Sequence, residues 1–165
     1  MSARAERLAE EFAQANDALV QVLEQATPEQ WRQRTRDEGE LRPIGVIAHH
    51  VAWAHQHINQ RVRAFAEGLP VPPRRPDLFD ERNARQASDN PNPDQAATIA
   101  WLRRDGEAVA RMIAGLSDAQ LERRACEDPG APELTTREVI ELRQIGHVRG
   151  YLATIRTALG DSLRA

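Results

Sequence analysis

Residues 43–68 read PIGVIAHHVAWAHQHINQRVRAFAEG, and this stretch decides the fold. Ile44, Ile47, Val51, Ile58, Val62 and Phe65 recur near a 3.6-residue spacing, which gathers them into one apolar stripe along a long helix. Pro43 suits the entry to such a helix and Gly68 its C′ position. The same stretch holds four of the five histidines of the chain. The fifth, His147, lies in QIGHVRGYLATIR at residues 144–156.

The remaining helices are read outward from this one. Leu8, Phe12, Leu19, Val22 and Leu23 mark a first long helix over residues 4–26. Thr27, Pro28 and Gln30 then form a capping box with proline at the first helical position, and a short helix carrying Trp31 follows. Asn92 and Pro93 open a third long helix that ends before Gly115, and Ser117 with Gln120 caps another short one. Thr135 and Glu138 cap a fourth long helix, which runs to Gly160. No period-two strand pattern competes with these helices. The expected fold is therefore all-α, a four-helix bundle forming a single domain over residues 1–165. Its long crossover lies between helices two and three, with a short helix within it near Asp77 to Ala87.

A weak internal duplication supports a two-halved bundle. LEQATPEQWRQR after helix one resembles IAGLSDAQLERR after helix three, each with a cap, a Gln at N3, a large apolar residue and trailing arginines. Helices two and four are then counterparts, and they carry all five histidines.

Composition limits the chemistry. A formal charge of −3 and a pI near 6.0 argue against a nucleic-acid partner. All 22 basic residues are arginine, which removes Schiff-base and P-loop lysines. The lone Cys126 allows no intramolecular disulfide, and the acids around it disfavour a thiolate nucleophile. No apolar run is long enough to span a bilayer, and MSARAERLAEE lacks the apolar segment of a signal peptide, so a cytoplasmic protein is expected. Glu-x-x-His pairs, HExxH, GxSxG, glycine-rich phosphate loops and CxxC are all missing. Arg74-Arg75, Arg103-Arg104 and Arg123-Arg124 read as solvated helix ends and loop charge.

Helical geometry separates the clustered histidines. His55 falls in the middle of the apolar stripe and is expected to be a buried, hydrogen-bonded core residue. His50 borders the stripe, His57 lies on the outer flank, and His49 and Trp53 point to the opposite side. An exposed aromatic at Trp53 would suggest an interface in a homodimer. On helix four the stripe is Ile145, Val148, Leu152, Ile155 and Leu159, with His147 and Tyr151 one turn apart on its border. A histidine from one helix and an i, i+4 pair from another is the arrangement a three-ligand metal site needs.

The order of elements, the long crossover, PIGVIAHHVA and HVRGYLATIRTAL together resemble the DinB/YfiT-like superfamily of four-helix bundles. The resemblance implies a divalent metal, nickel, zinc or iron, held by a helix-two histidine and an i, i+4 pair on helix four. His50 and His147 take the first two positions. The third is Tyr151, where relatives carry histidine, and the resemblance makes it a third ligand or a general acid. Phenol ligates most divalent metals poorly at neutral pH, so His55, His57, Asp80 and Glu81 stand as alternative third ligands. The implied activity is metal-dependent thiol transfer, with a low-molecular-weight thiol as cosubstrate, or hydrolysis of a small molecule. The competing expectation is a non-catalytic helical module, binding a small molecule or dimerising, with a degenerate metal site.

Overall fold

A computed structural model describes residues 2–35, 41–71 and 76–160, the side chains of residues 76–79 excepted. Four long helical segments build the bundle: α1 (Ala3–Gln25), α3 (Ile44–Glu67), α5 (Gln95–Ala114) and a composite fourth. That fourth segment is α7 (Thr136–Val139), a π-helical stretch (Ile140–Ile145) and α8 (Gly146–Leu159). Two short helices, α2 (Pro28–Arg32) and α6 (Asp118–Leu121), follow α1 and α5, and α4 (Pro76–Asp89) lies in the crossover. Each of α1 and α3 packs against both α5 and α8, so α1 and α3 face one another across the core diagonal. No helix among the described residues is long and apolar enough to cross a membrane.

The expected punctuation is present. Thr27/Gln30, Ser117/Gln120 and Thr135/Glu138 each form a reciprocal capping box. Each satisfies backbone N–H groups that a helix start leaves without partners. Gly68 and Gly160 end α3 and α8 in the left-handed conformation, at φ 69° and 78°. The stripes of the four long segments meet in one core that includes Phe12, Leu19, Ile47, Phe65, Leu102, Ile113 and Ile155.

Three details differ from the sequence reading. The third long helix is capped by Asp94, whose side chain accepts from Ala97 N–H, two residues beyond the expected start at Asn92. A small antiparallel hairpin joins β1 (Arg124–Cys126) to β2 (Glu133–Thr135), where no strand was expected. Three-residue strands are too short to show a period. The fourth long helix is not continuously α-helical. Six residues adopt the wider π turn, and Gly146 N–H reaches back to Glu141 C=O. Such turns arise often beside functional residues. This one immediately precedes His147.

Polar contacts hold the elements in place. Asn16 Nδ2 donates to Leu102 C=O at 3.2 Å, linking α1 to α5. Arg143 donates to the buried Glu127 through Nη2 at 2.6 Å, and Arg61 Nη1 lies 4.0 Å from the same carboxylate. The hairpin loop is thereby tied to α3 and to the π stretch. Arg123, expected in solvent, donates instead to Ala66 C=O at 2.7 Å and covers a carbonyl at the end of α3. Arg103 and Arg124 pair with Glu24 and Glu133 at the surface, while Arg74 and Arg75 lie outside the described residues.

Gly45 marks a close approach. A Cβ there would come within 2.5 Å of Trp31 Cε2. The indole cannot retreat freely, because its N–H donates to Pro93 C=O at 2.9 Å. Gly45→Ala should therefore lower the unfolding free energy by about 1–3 kcal/mol. Chemical denaturation of the two proteins measures this, and an unchanged midpoint would mean that Trp31 is not seated against α3.

Candidate functional site

The antiparallel course of α3 and α8 brings the two histidine helices together. His50 and His147 have ring centroids 5.4 Å apart. Tyr151 stands edge-on to both, 5.5 Å from His50 and 4.9 Å from His147. The three residues singled out from the sequence therefore form one cluster. His50 is 1% exposed, whereas His147 and Tyr151 are half-buried, so the cluster has a closed end and an open end.

The closed end is desolvated. Burial, and then the charges of His147, Arg42 and His49, push the His50 imidazole down to about 3 from its ordinary 6.5. It is neutral at physiological pH. Its Nδ1 is buried with no hydrogen-bond partner. Two imidazoles side by side, one of them held neutral with an unused ring nitrogen, have the donor character that a divalent ion requires.

Arg42 was not identified from the sequence. Its Nη2 donates to Tyr151 Oη at 3.3 Å. It precedes the start of α3, and α8 approaches that end with its later turns, so only the tertiary packing reveals the contact. Trp53, expected on the far side of α3 as an exposed aromatic, is half-buried instead. It lies 5.8 Å from the His50 ring and 4.2 Å from His57, with the Arg82 guanidinium 5.3 Å above it. The crossover helix α4 covers this face, and the exposed aromatic that suggested an interface is therefore not there.

The alternative third ligands do not join the cluster. His55 is fully buried and its Nε2 lies 2.9 Å from Asn16 Oδ1, with Phe12 packed edge-on at 5.4 Å. It is a core residue, as expected. Burial is the main reason its imidazole falls to about 4. His57 is exposed beside Trp53, and Asp80 and Glu81 are exposed on α4. His49 Nδ1 meets Gln86 Nε2 at 2.6 Å and its ring lies 5.2 Å from Trp101, which fastens α4 to α3 and α5. Among the described residues, no three His, Cys, Asp or Glu side chains group as a metal site.

The two depressed histidines make stability pH-dependent. Unfolded, both rings titrate at about 6.5, while the folded values are about 4 for His55 and about 3 for His50. The unfolded chain takes up protons first as pH falls. The stability these rings contribute is whole above pH 6.5 or so, and drains away toward pH 4 for His55 and pH 3 for His50. Replacing His55 with Leu should reduce the slope of unfolding free energy between these limits by up to about 1.4 kcal/mol per pH unit. Denaturant titrations at stepped pH provide the measurement, and an unaltered slope would contradict the buried neutral state.

The model of the DinB superfamily matches residues 11–155 of this chain. Among solved structures, YfiT from Bacillus subtilis, described as a probable metal-dependent hydrolase with an unusual four-helix bundle topology, superposes with a TM-score of 0.72 at 18% identity, covering 98% of this chain and 91% of that one. The sibling lethal factor precursor DfsB superposes with the same TM-score of 0.72 at 17% identity, with 100% of each chain covered. No curated protein matches the sequence.

Proposed function

Since this chain belongs to the DinB superfamily, we propose that it is a divalent-metal-dependent enzyme acting on a small molecule, by hydrolysis or by transfer to a low-molecular-weight thiol. The observation that carries this reading is the buried His50, neutral and with an unused Nδ1, 5.4 Å ring to ring from His147. A buried ring nitrogen without a partner is costly unless something fills it, and the ring pair fits a metal ion. The description of YfiT as metal-dependent points in the same direction. Nickel, zinc and iron all suit imidazole donors.

His50 and His147 would hold the ion. Bound there, it would supply Lewis acidity, lowering the pKa of a water or thiol and polarising a substrate carbonyl. The chain's own residues provide the surroundings. His50 closes the inner end, and Trp53 lies beside it and excludes water there. Half-buried His147 and Tyr151 form the end through which a small molecule enters. Tyr151 Oη accepts from Arg42, an orientation suited to giving its proton to a departing atom of the substrate. Tyr151 is thus assigned as general acid.

A second reading is favoured by a specific observation. With tyrosine at the third position and no third His or acid grouped among the described residues, a non-catalytic bundle that binds a small molecule would also keep this shape. Titration calorimetry with nickel and zinc separates the two. Wild-type protein should bind one of them, His50→Ala and His147→Ala should each abolish that binding, and Tyr151→His should tighten it by adding a third imidazole. Protein that takes up neither metal, and gains no affinity from Tyr151→His, belongs to the second reading.

A further inference from the structure

The segment that enters α3 brings a charge to the open end of the ring cluster. Arg42 is half-buried, and its Nη2 lies 3.3 Å from Tyr151 Oη. Tyr151 in turn stands 4.9 Å, ring to ring, from His147 and 5.5 Å from His50. The guanidinium is felt at the closed end too, where it adds to burial and to the His147 charge in holding the His50 imidazole neutral.

The mount of this side chain is rigid. Buried Thr35 donates to Arg42 C=O through its N–H at 3.2 Å and through its hydroxyl at 3.3 Å. Arg34 and Pro43 form an antiparallel bridge, and Ile44 N–H donates to Gln33 C=O at 2.9 Å. Gln33 then reaches α8, donating its Nε2 to Ala158 C=O at 2.5 Å. The backbone around Arg42 is thus fastened to the helix that presents Tyr151 two turns earlier. A guanidinium on such a mount has little freedom left to lose when it takes a ligand.

Charge at the cluster is one-sided. The charged neighbours that act on the His50 ring are His147, Arg42 and His49, and none of them is acidic. Arg82 adds a guanidinium 5.3 Å above the adjoining Trp53 ring. A partly desolvated recess lined by cations concentrates anions. The planar fork of an arginine matches the two oxygens of a carboxylate. One guanidinium beside a neutral imidazole balances the single charge of a carboxylate, and not the two of a phosphate monoester.

We propose that Arg42 is the anion anchor of this site and that its ligand is a small carboxylic acid in its ionised form. On the proposed function, that carboxylate belongs to the substrate. Arg42 touches the phenol assigned as general acid, so the departing atom would lie within a few bonds of the carboxylate.

Tyr151 is the only tyrosine in the chain, so ring-labelled tyrosine places one set of nuclear magnetic resonance signals beside the anchor. Metal-free, full-length protein is titrated with sodium acetate, and with sodium chloride at matched ionic strength. In wild type, acetate should move the Tyr151 signal along a saturating curve that chloride does not produce. Arg42→Met should respond to the two salts alike. Arg42→Lys keeps the charge without the fork and should need roughly tenfold more acetate, the cost of one hydrogen bond to a charged group. An acetate response no different from chloride in wild type, or an equal response in Arg42→Met, would overturn the anchor. Should Arg42→Met fail to fold, matching acetate curves for Arg42→Lys and wild type overturn it instead. Inorganic phosphate that saturates where acetate does not would overturn the carboxylate assignment. Metal plays no part in this measurement: acetate binding without uptake of nickel or zinc keeps the anchor and loses the proposed enzyme, and metal uptake without an acetate response loses the anchor alone.

Discussion

Asn16 is the buried contact on which the arrangement of this bundle depends. From α1 it donates to a carbonyl of α5 and accepts from His55 of α3, so one carboxamide joins three of the four long helices. Its seat is narrow. A Cβ at Gly106 of α5 would lie 2.9 Å from Asn16 Cγ, so a side chain there would force the amide out of place. Apolar stripes can slide or rotate against each other at modest cost, whereas a buried polar pair has one satisfied geometry. Because α1 and α3 face each other across the diagonal, this pair sets the rotation of α3 about its own axis. His50 lies five residues before His55, about 140° round the helix. Pointing His55 at α1 therefore turns His50 toward α8 and His147.

Desolvation dominates the chemistry of both histidines. For His50 and for His55 burial is the largest influence on the imidazole, and the neighbouring positive charges on His50 only add to it. Each ring buries an Nδ1 without a partner, and the two differ in their surroundings. His55 is held through Nε2 by Asn16 across the core, whereas His50 stands beside the second, half-buried imidazole of His147. This difference separates two histidines on one helix that composition cannot distinguish.

The helices were legible because their ends are written in short-range chemistry. A capping box needs two residues three apart, and all three expected boxes are present. The third helix starts two residues late because Asn92, Pro93 and Asp94 are all good openers, and only Asp94 reaches a free N–H. The π turn has no compositional signature, so a continuous helix was the natural expectation for residues 135–160. At the site, His50, His147 and Tyr151 were legible from their places beside apolar stripes. Arg42 was not, since its contact with Tyr151 depends on which helices become neighbours. Trp53 was misplaced for a related reason: helical geometry put it away from the core, and it could not show that α4 would cover that face.

The tyrosine on α8 bears on what the site has become. A residue kept only to fill volume would use its ring, and the Tyr151 ring does pack edge-on against both imidazoles. The hydroxyl is used as well, accepting from the Arg42 guanidinium, which lies just before the start of α3. Phenylalanine would serve the packing equally and leave that donor unmatched by the phenol oxygen. Position 151 therefore carries an oriented O–H next to the neutral His50 ring and the His147 ring, at the end of the cluster that solvent reaches. On the proposed metal-dependent reading, an oriented hydroxyl in place of an imidazole would weaken the hold on a divalent ion and would supply a proton donor beside it.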